Sequence, residues 1–188
     1  MNPITHFFIS WDVANSGNLG HRDRILVSLA GIIPDADAFG MLPELLTRNS
    51  ARPLFWWTDY HHVLGHNVSF AILVTAACFI AARKRVKTAL LALLTFHLHL
   101  LGDLIGARGP DGYQWPMPYL YPFSHTIQLQ WSGQWALNAW PNFLVTGVVV
   151  FLAFYWAWKR GYSPIGILSH SADAAFVATL RHRFGPPC

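Results

Sequence analysis

Apolar and polar positions alternate along this chain in blocks rather than at single residues, and the blocks are of helical length. Val68 to Ala82 and Val86 to Ala107 are two long apolar runs, separated by the basic group Arg83, Lys84, Arg85 and Lys87. A third run, Asn142 to Trp158, ends at Lys159 and Arg160. Runs near the ~20 residues that cross a bilayer, closed by cations, predict membrane helices, with the basic group as the turn of a helical hairpin. Two shorter helices are expected upstream. One runs from Thr5, placed to cap it, to Ala14. The other runs from Asp23 to Ile33 and stops at Pro34, because a residue before proline is biased out of the helical region. Residues 39–60, with Pro43, Pro53, Trp56 and Trp57, read as a short helix and loop at the interface. Gly109 to Pro122 is rich in Pro, Gly and aromatics and is expected to be irregular. Residues 165–183 are weakly amphipathic.

The fold class that follows is all-α: a helical integral membrane protein with three long apolar helices plus short N-terminal and interfacial helices. Residues 1–162 form one helical domain carrying the candidate chemistry, and 163–188 a cytoplasmic amphipathic tail. Composition agrees. The chain is 53% hydrophobic and 15% aromatic but 12% charged, against about 25% charged in soluble domains. Its nine Trp and six Tyr suit the headgroup level. The +4 net charge lies in clusters beside apolar runs, which argues against a nucleic-acid partner. Cys78 and Cys188 have no metal-binding spacing and are not expected to pair. The first residues lack the basic region of a signal peptide, so insertion is expected to rely on internal helices.

Charge also orients the chain. With the Arg83–Lys87 turn in the cytoplasm, all thirteen Lys and Arg except Arg48, Arg52 and Arg108 fall on that side, as the positive-inside rule expects. The same arrangement brings His6, Asp35, Asp37, His61, His62, His66, His99 and Asp103 to the opposite, outer level.

Imidazole and carboxylate together suit zinc, manganese or iron better than calcium or magnesium. The most informative pair is His99 and Asp103, whose i,i+4 spacing puts both on one helical face. A carboxylate in an apolar helix costs at least about 2.5 kcal/mol unless it is paired, and a dication offsets that cost. An Asp–His pair, or an Asp pair with Arg108, is the plainer alternative. His97 lies about 200° around the helix from His99 and cannot share its site. Asp35 and Asp37, one residue apart in an extended turn, point to the same side; the plainer reading is a helix stop with Asp37 capping the next helix. In His61-His62-Val63-Leu64-Gly65-His66, His62 and His66 have zinc-helix spacing. His61 and His66 meet only if the backbone is not helical there, which Gly65 permits. His21, His125, His170 and His182 lack such company.

The order of these elements resembles the bacterial inner-membrane proteins known as membrane-bound metal-dependent hydrolases, the LexA-regulated type included. Thr5-His6, Pro34-Asp35-Ala36-Asp37, the outer histidines of His61 to Asn67, His99 to Asp103, and Trp115-Pro116 with Pro122-Phe123-Ser124 follow that pattern over roughly residues 5 to 125. His62 stands where Arg is usual, Gly65 for Thr and Asn67 for Ser. The order is also similar to zinc-dependent phospholipase C and single-strand nucleases. The resemblance implies one or two divalent ions, zinc first and manganese second, bound by His6, Asp35, Asp37, His61, His66, His99 and Asp103. Asp35, Asp37 and Asp103 would be the catalytic carboxylates. The implied activity is hydrolysis of a phosphoester of a lipid or lipid-linked amphipathic substrate, at the outer face of a multi-pass protein of the inner membrane, with membrane lipid as partner. A purely structural metal site and a metal-ion transporter are the competing expectations.

Overall fold

A computed structural model describes residues 1–187. Cys188, expected to be unpaired, lies outside the described residues; Cys78 is free and buried.

Helix α1 spans Pro3–Ser16. Its N-cap is Asn2, whose side chain accepts from the Thr5 backbone N–H at 2.9 Å. Thr5 is therefore inside the first turn, not the cap the sequence suggested, because with Pro3 as the first helical residue the cap falls three residues earlier. Helix α2, His21–Ala30, ends before Ile33. Gly31 follows it at a point where an added Cβ would sit 1.7 Å from the Ser10 hydroxyl of α1, so close contact between α1 and α2 depends on that glycine.

Residues Ile33–Gly40 form a 3-10 turn and lead into α3, Met41–Thr47; together, as Ile33–Thr47, they bend 49° from α2. The Pro34–Asp37 segment is thus wound, not extended. At three residues per turn, residues two apart diverge in direction. Asp35 and Asp37 consequently serve different neighbours.

After α4, Trp56–Tyr60, come α5, Val68–Ala81, and α6, Arg85–Gly106. α5 was expected as a long apolar helix but has 14 residues, about 21 Å at 1.5 Å per residue, against a hydrocarbon core of about 30 Å. Both its ends are fixed by polar groups. Asn67 accepts from Phe70 N–H at 2.9 Å. Beyond its C-terminus the Asp23 carboxylate accepts the amides of Arg83 and Lys84, both at 2.9 Å. Among the described residues two helices are long and apolar enough to cross a membrane, α6 and α7, the latter Trp140–Arg160; a third span is reached only if α2, the 3-10 turn and α3 are taken as one bent crossing.

α6 is the central element and packs against α5, α2 and α1, while α1 also packs along α7. Thr5 and Thr146 share a hydroxyl contact of 2.6 Å there. Between α6 and α7, within and beyond the Gly109–Pro122 stretch expected to be irregular, lies a short antiparallel ribbon: β1, Met117–Pro118, pairs with β2, Gln128–Leu129. Met117 is fully buried in a cluster with Phe96 and Leu100. This segment closes over the C-terminal end of α6. Gln134 donates to the Asp103 carbonyl at 2.6 Å, and Asn142 to the Gly106 carbonyl at 2.9 Å, pairing carbonyls that a helix end leaves open. Helix α8, His170–Phe184, packs against α7 and the short turn before it.

Candidate metal centre

Three elements deliver four ligand atoms to one point. The 3-10 turn supplies Asp35, the loop just before α5 supplies His66, and α6 supplies His99 and Asp103. One ligand atom from each lies within 4.8 Å of all the others. His99 Nε2 is 3.0 Å from Asp103 Oδ2 and 3.5 Å from Asp35 Oδ1. His66 Nε2 is 3.4 Å from Asp103 Oδ2 and 3.9 Å from Asp35 Oδ1. The two Nε2 atoms are 3.1 Å apart. Donors on a tetrahedral ion with bonds of ~2.0–2.1 Å stand about 3.3 Å from one another, so the spacing fits such an ion.

The hydrogen bonds behind these rings decide what the gap can hold. His99 Nδ1 is 2.8 Å from the Gly31 carbonyl, and His66 Nδ1 is 3.2 Å from Asp37 Oδ2. Both partners can only accept, so both Nδ1 atoms carry hydrogen and donate. In neutral rings the two Nε2 lone pairs then face each other, and face two carboxylates, at buried positions. A cation or an added proton has to lie between them. Locking Nδ1 by an oxygen is also how proteins orient metal-binding imidazole. His66, His99 and Asp103 are at most 1% exposed.

Asp37 stands one step behind. Its Oδ1 accepts from His61 Nδ1 at 2.8 Å. Its Oδ2 accepts from the amides of His62 and Gly65, each at 3.1 Å, as well as from His66. That carboxylate is a hub for the histidine block and lies outside the ligand quartet. His61 turns to Asp37 and stacks on Trp57 at 3.8 Å between ring centroids; it too lies outside the quartet.

His62, whose spacing to His66 fits a zinc helix, was not among the expected ligands. Its Nδ1 donates to the Trp115 carbonyl at 3.4 Å, and its Nε2 is 4.0 Å from Asp103 Oδ2. Burial, reinforced by neighbouring His66, pushes its pKa down to about 3, so it stays neutral. The signal was present in its i,i+4 spacing to His66. The reason it could not be separated from His61 is local: His62 sits at φ 65°, in the left-handed region, and the reversal swaps which ring faces inward.

His6 lies on the far side of the bridging carboxylate. Its Nε2 is 3.0 Å from Asp103 Oδ1 and its ring stacks on His99 at 3.8 Å. The Met1 amino group also contacts Asp103 Oδ1. His97 faces away, as expected, bonding Leu93 O and the Tyr119 hydroxyl, both at 2.8 Å. A cavity of about 430 Å³ opens beside the quartet, with Asp35, Asp103, His61 and His62 on its inner wall and Trp57, Asp111 and Trp115 among its other lining residues.

The sequence model of a family described as YdjM inner membrane protein matches residues 1–179. No curated protein and no solved structure matches this chain.

Proposed function

Because the chain belongs to the YdjM inner membrane protein family, we propose that its His/Asp centre makes it a membrane-embedded, metal-dependent hydrolase of a lipid or lipid-linked phosphoester. The observation that carries this reading is the convergence of His66 and His99 Nε2 on Asp103 and Asp35, with both Nδ1 atoms tied back. Asp35, His66, His99 and Asp103 would hold the ion, and zinc is the first candidate for a mixed nitrogen and oxygen shell of four. Bound there, a dication would lower the pKa of water and polarise a phosphoryl oxygen.

The protein's own groups have separable tasks. Asp103 and Asp35 bring negative charge to a wall shared with the His61 and His62 rings. Asp35 keeps a side-chain exposure of 16% and lines the cavity, so its carboxylate can accept a proton from a water held there. Asp37 accepts from His61 Nδ1, which leaves Nε2 of His61 with a lone pair at the cavity wall; that nitrogen would first take up a proton from a cavity water and then hand that proton to a leaving oxygen. Trp57 and Trp115 would seat the substrate at headgroup level.

The basic residues favour a multi-pass arrangement with the centre on the extracytoplasmic side. Asp23, beside Arg83 and Lys84, marks the end of the bundle opposite the ligands.

A structural metal is the second reading. It is favoured by the quartet itself, since four protein ligands can close a tetrahedral sphere. Turnover separates the two. Purified protein given a panel of phosphodiester lipids should release product with zinc or manganese and stop with chelator. Tight metal binding without turnover on any lipid would leave the staple.

A further inference from the structure

α7 is far less covered by protein than α6. Along its second half lies an open groove of about 490 Å³, walled by Gly147, Phe151, Tyr155 and Trp158 of α7 and by Leu180 and Phe184 of α8. From Gly147 to Trp158 the groove runs about 16 Å at 1.5 Å per residue, one leaflet of a hydrocarbon core of about 30 Å. α8 is fixed as the second wall. Trp158 Nε1 donates to the Gly185 carbonyl at 2.7 Å, and Arg181 Nε to the Trp158 carbonyl at 3.1 Å. The Phe154 and Phe176 rings meet edge to face at 5.4 Å between centroids.

The apolar lining ends in cations. Lys159 Nζ donates to the Tyr155 hydroxyl at 3.0 Å, which sets the ammonium against a residue of the wall. Arg183 is exposed beside Phe184, and Arg160 and Arg181 lie in the same two helix ends. The one acid after Asp111 is Asp173. It is buried, and its Oδ1 accepts from Ser163 N and Oγ at 2.7 and 2.6 Å. Among the described residues none of these cations forms an ion pair with a carboxylate. The mouth of the groove also shares its level with the other basic groups. Arg24 lies over the Tyr162 ring at 3.4 Å, and its neighbour Asp23 holds the Arg83–Lys84 turn.

We propose that this groove binds one anionic phospholipid of the cytoplasmic leaflet, its acyl chain lying between α7 and α8 and its phosphate held by Lys159 and Arg183. An apolar slot one leaflet deep, with cations at its mouth, matches a chain and the charged headgroup above it, and basic pockets beside spanning helices take such headgroups. A second copy of this chain fits less well. In a dimer packed through the same groove, the cations of both copies would meet at one membrane level and repel. The site lies at the end of the bundle opposite the His/Asp centre and does not depend on the metal reading. The lipid here is a ligand that seats α8 on α7, not a substrate.

Native mass spectrometry reads the occupant. The full chain is delipidated in neutral detergent and titrated with phosphatidylglycerol or with phosphatidylcholine of the same acyl chains. A single bound phosphatidylglycerol is expected, with affinity about tenfold above phosphatidylcholine. Lys159→Gln combined with Arg183→Gln should weaken it about fivefold for each cation removed. Arg83→Gln combined with Lys87→Gln removes the same charge at the α5–α6 turn and should leave the affinity unchanged. Gly147→Leu tests the apolar part. An added Cβ there meets nothing within 4 Å, so the side chain enters the groove, and phosphatidylglycerol binding should be lost with every cation intact. Circular dichroism and size-exclusion profiles establish that each variant is folded. Equal affinity for the two lipids, equal losses from the two charge-removing pairs, or unchanged binding in Gly147→Leu overturns the site. So does a lipid-free dimer that Gly147→Leu dissolves, which would put a second copy in the groove.

Discussion

Replacing Asp37 with Asn isolates the part of the centre that supports ligands without being one. The carboxylate accepts from His61 Nδ1, His62 N, Gly65 N and His66 Nδ1. Asn keeps the shape and removes the charge. Its carbonyl can take the place of Oδ2, which serves three of those donors, and its amide then faces His61, which must present the other tautomer. His66 keeps its orientation but donates to a neutral oxygen. Hydrogen bonds to charged groups contribute about 1.5–3 kcal/mol and neutral ones about 0.5–1.5. The basicity support for His66 thus falls by roughly 1–1.5 kcal/mol, about tenfold in zinc affinity at about 1.4 kcal/mol per decade. Losses of 10- to 100-fold are usual for such supporting groups. Competition of the detergent-solubilised protein against a chromophoric chelator measures this directly. An affinity within twofold of wild type would show that Asp37 does not support the centre. A collapse matching that of Asp103→Ala would show that it binds the ion itself.

Other outcomes follow from the same geometry. Gly65→Ala places a Cβ 2.1 Å from the Pro34 carbonyl oxygen, so the histidine block and the carboxylate turn must separate. A loss of about 1–3 kcal/mol is expected, read as a lower thermal midpoint together with weaker zinc binding. His97→Phe removes the bonds to Leu93 and Tyr119 and should leave zinc affinity unchanged, because His97 lies off the ligand face; a tenfold change would place it in the centre. A single cysteine at Lys87, in Cys78→Ala protein truncated before Cys188, should react with a membrane-impermeant maleimide only after the cells are opened. Labelling from outside would reverse the proposed orientation.

Much of the centre is legible from spacing because α6 is regular: His99 and Asp103 share a face, and His97 does not. Pro34 and Gly65 mark where the chain turns toward that face, and the resemblance supplies His66 and Asp35 in the right order. The irregular backbone between is not legible. A 3-10 turn and an extended turn both follow from Pro34, yet they send Asp35 and Asp37 to different partners. A left-handed residue at His62 reverses the choice between adjacent histidines, and no local composition requires φ > 0 at a histidine. The length of α5 is legible, since its apolar run from Val68 to Ala82 is one residue longer than the helix; what is not legible is that its far end is tied to Asp23, about sixty residues earlier, because a pattern along one segment cannot show that contact.

The four atoms of the quartet come from residues 35, 66, 99 and 103, and the last two sit in the final turns of α6. During synthesis the first carboxylate and the first imidazole therefore leave the ribosome well before their partners. On the proposed metal reading, the two earlier ligands alone would hold an ion weakly, and a full set of four would exist only once α6 is in place. The supply of the ion would then be a question for the compartment that the centre faces, and not for the one in which the chain is translated.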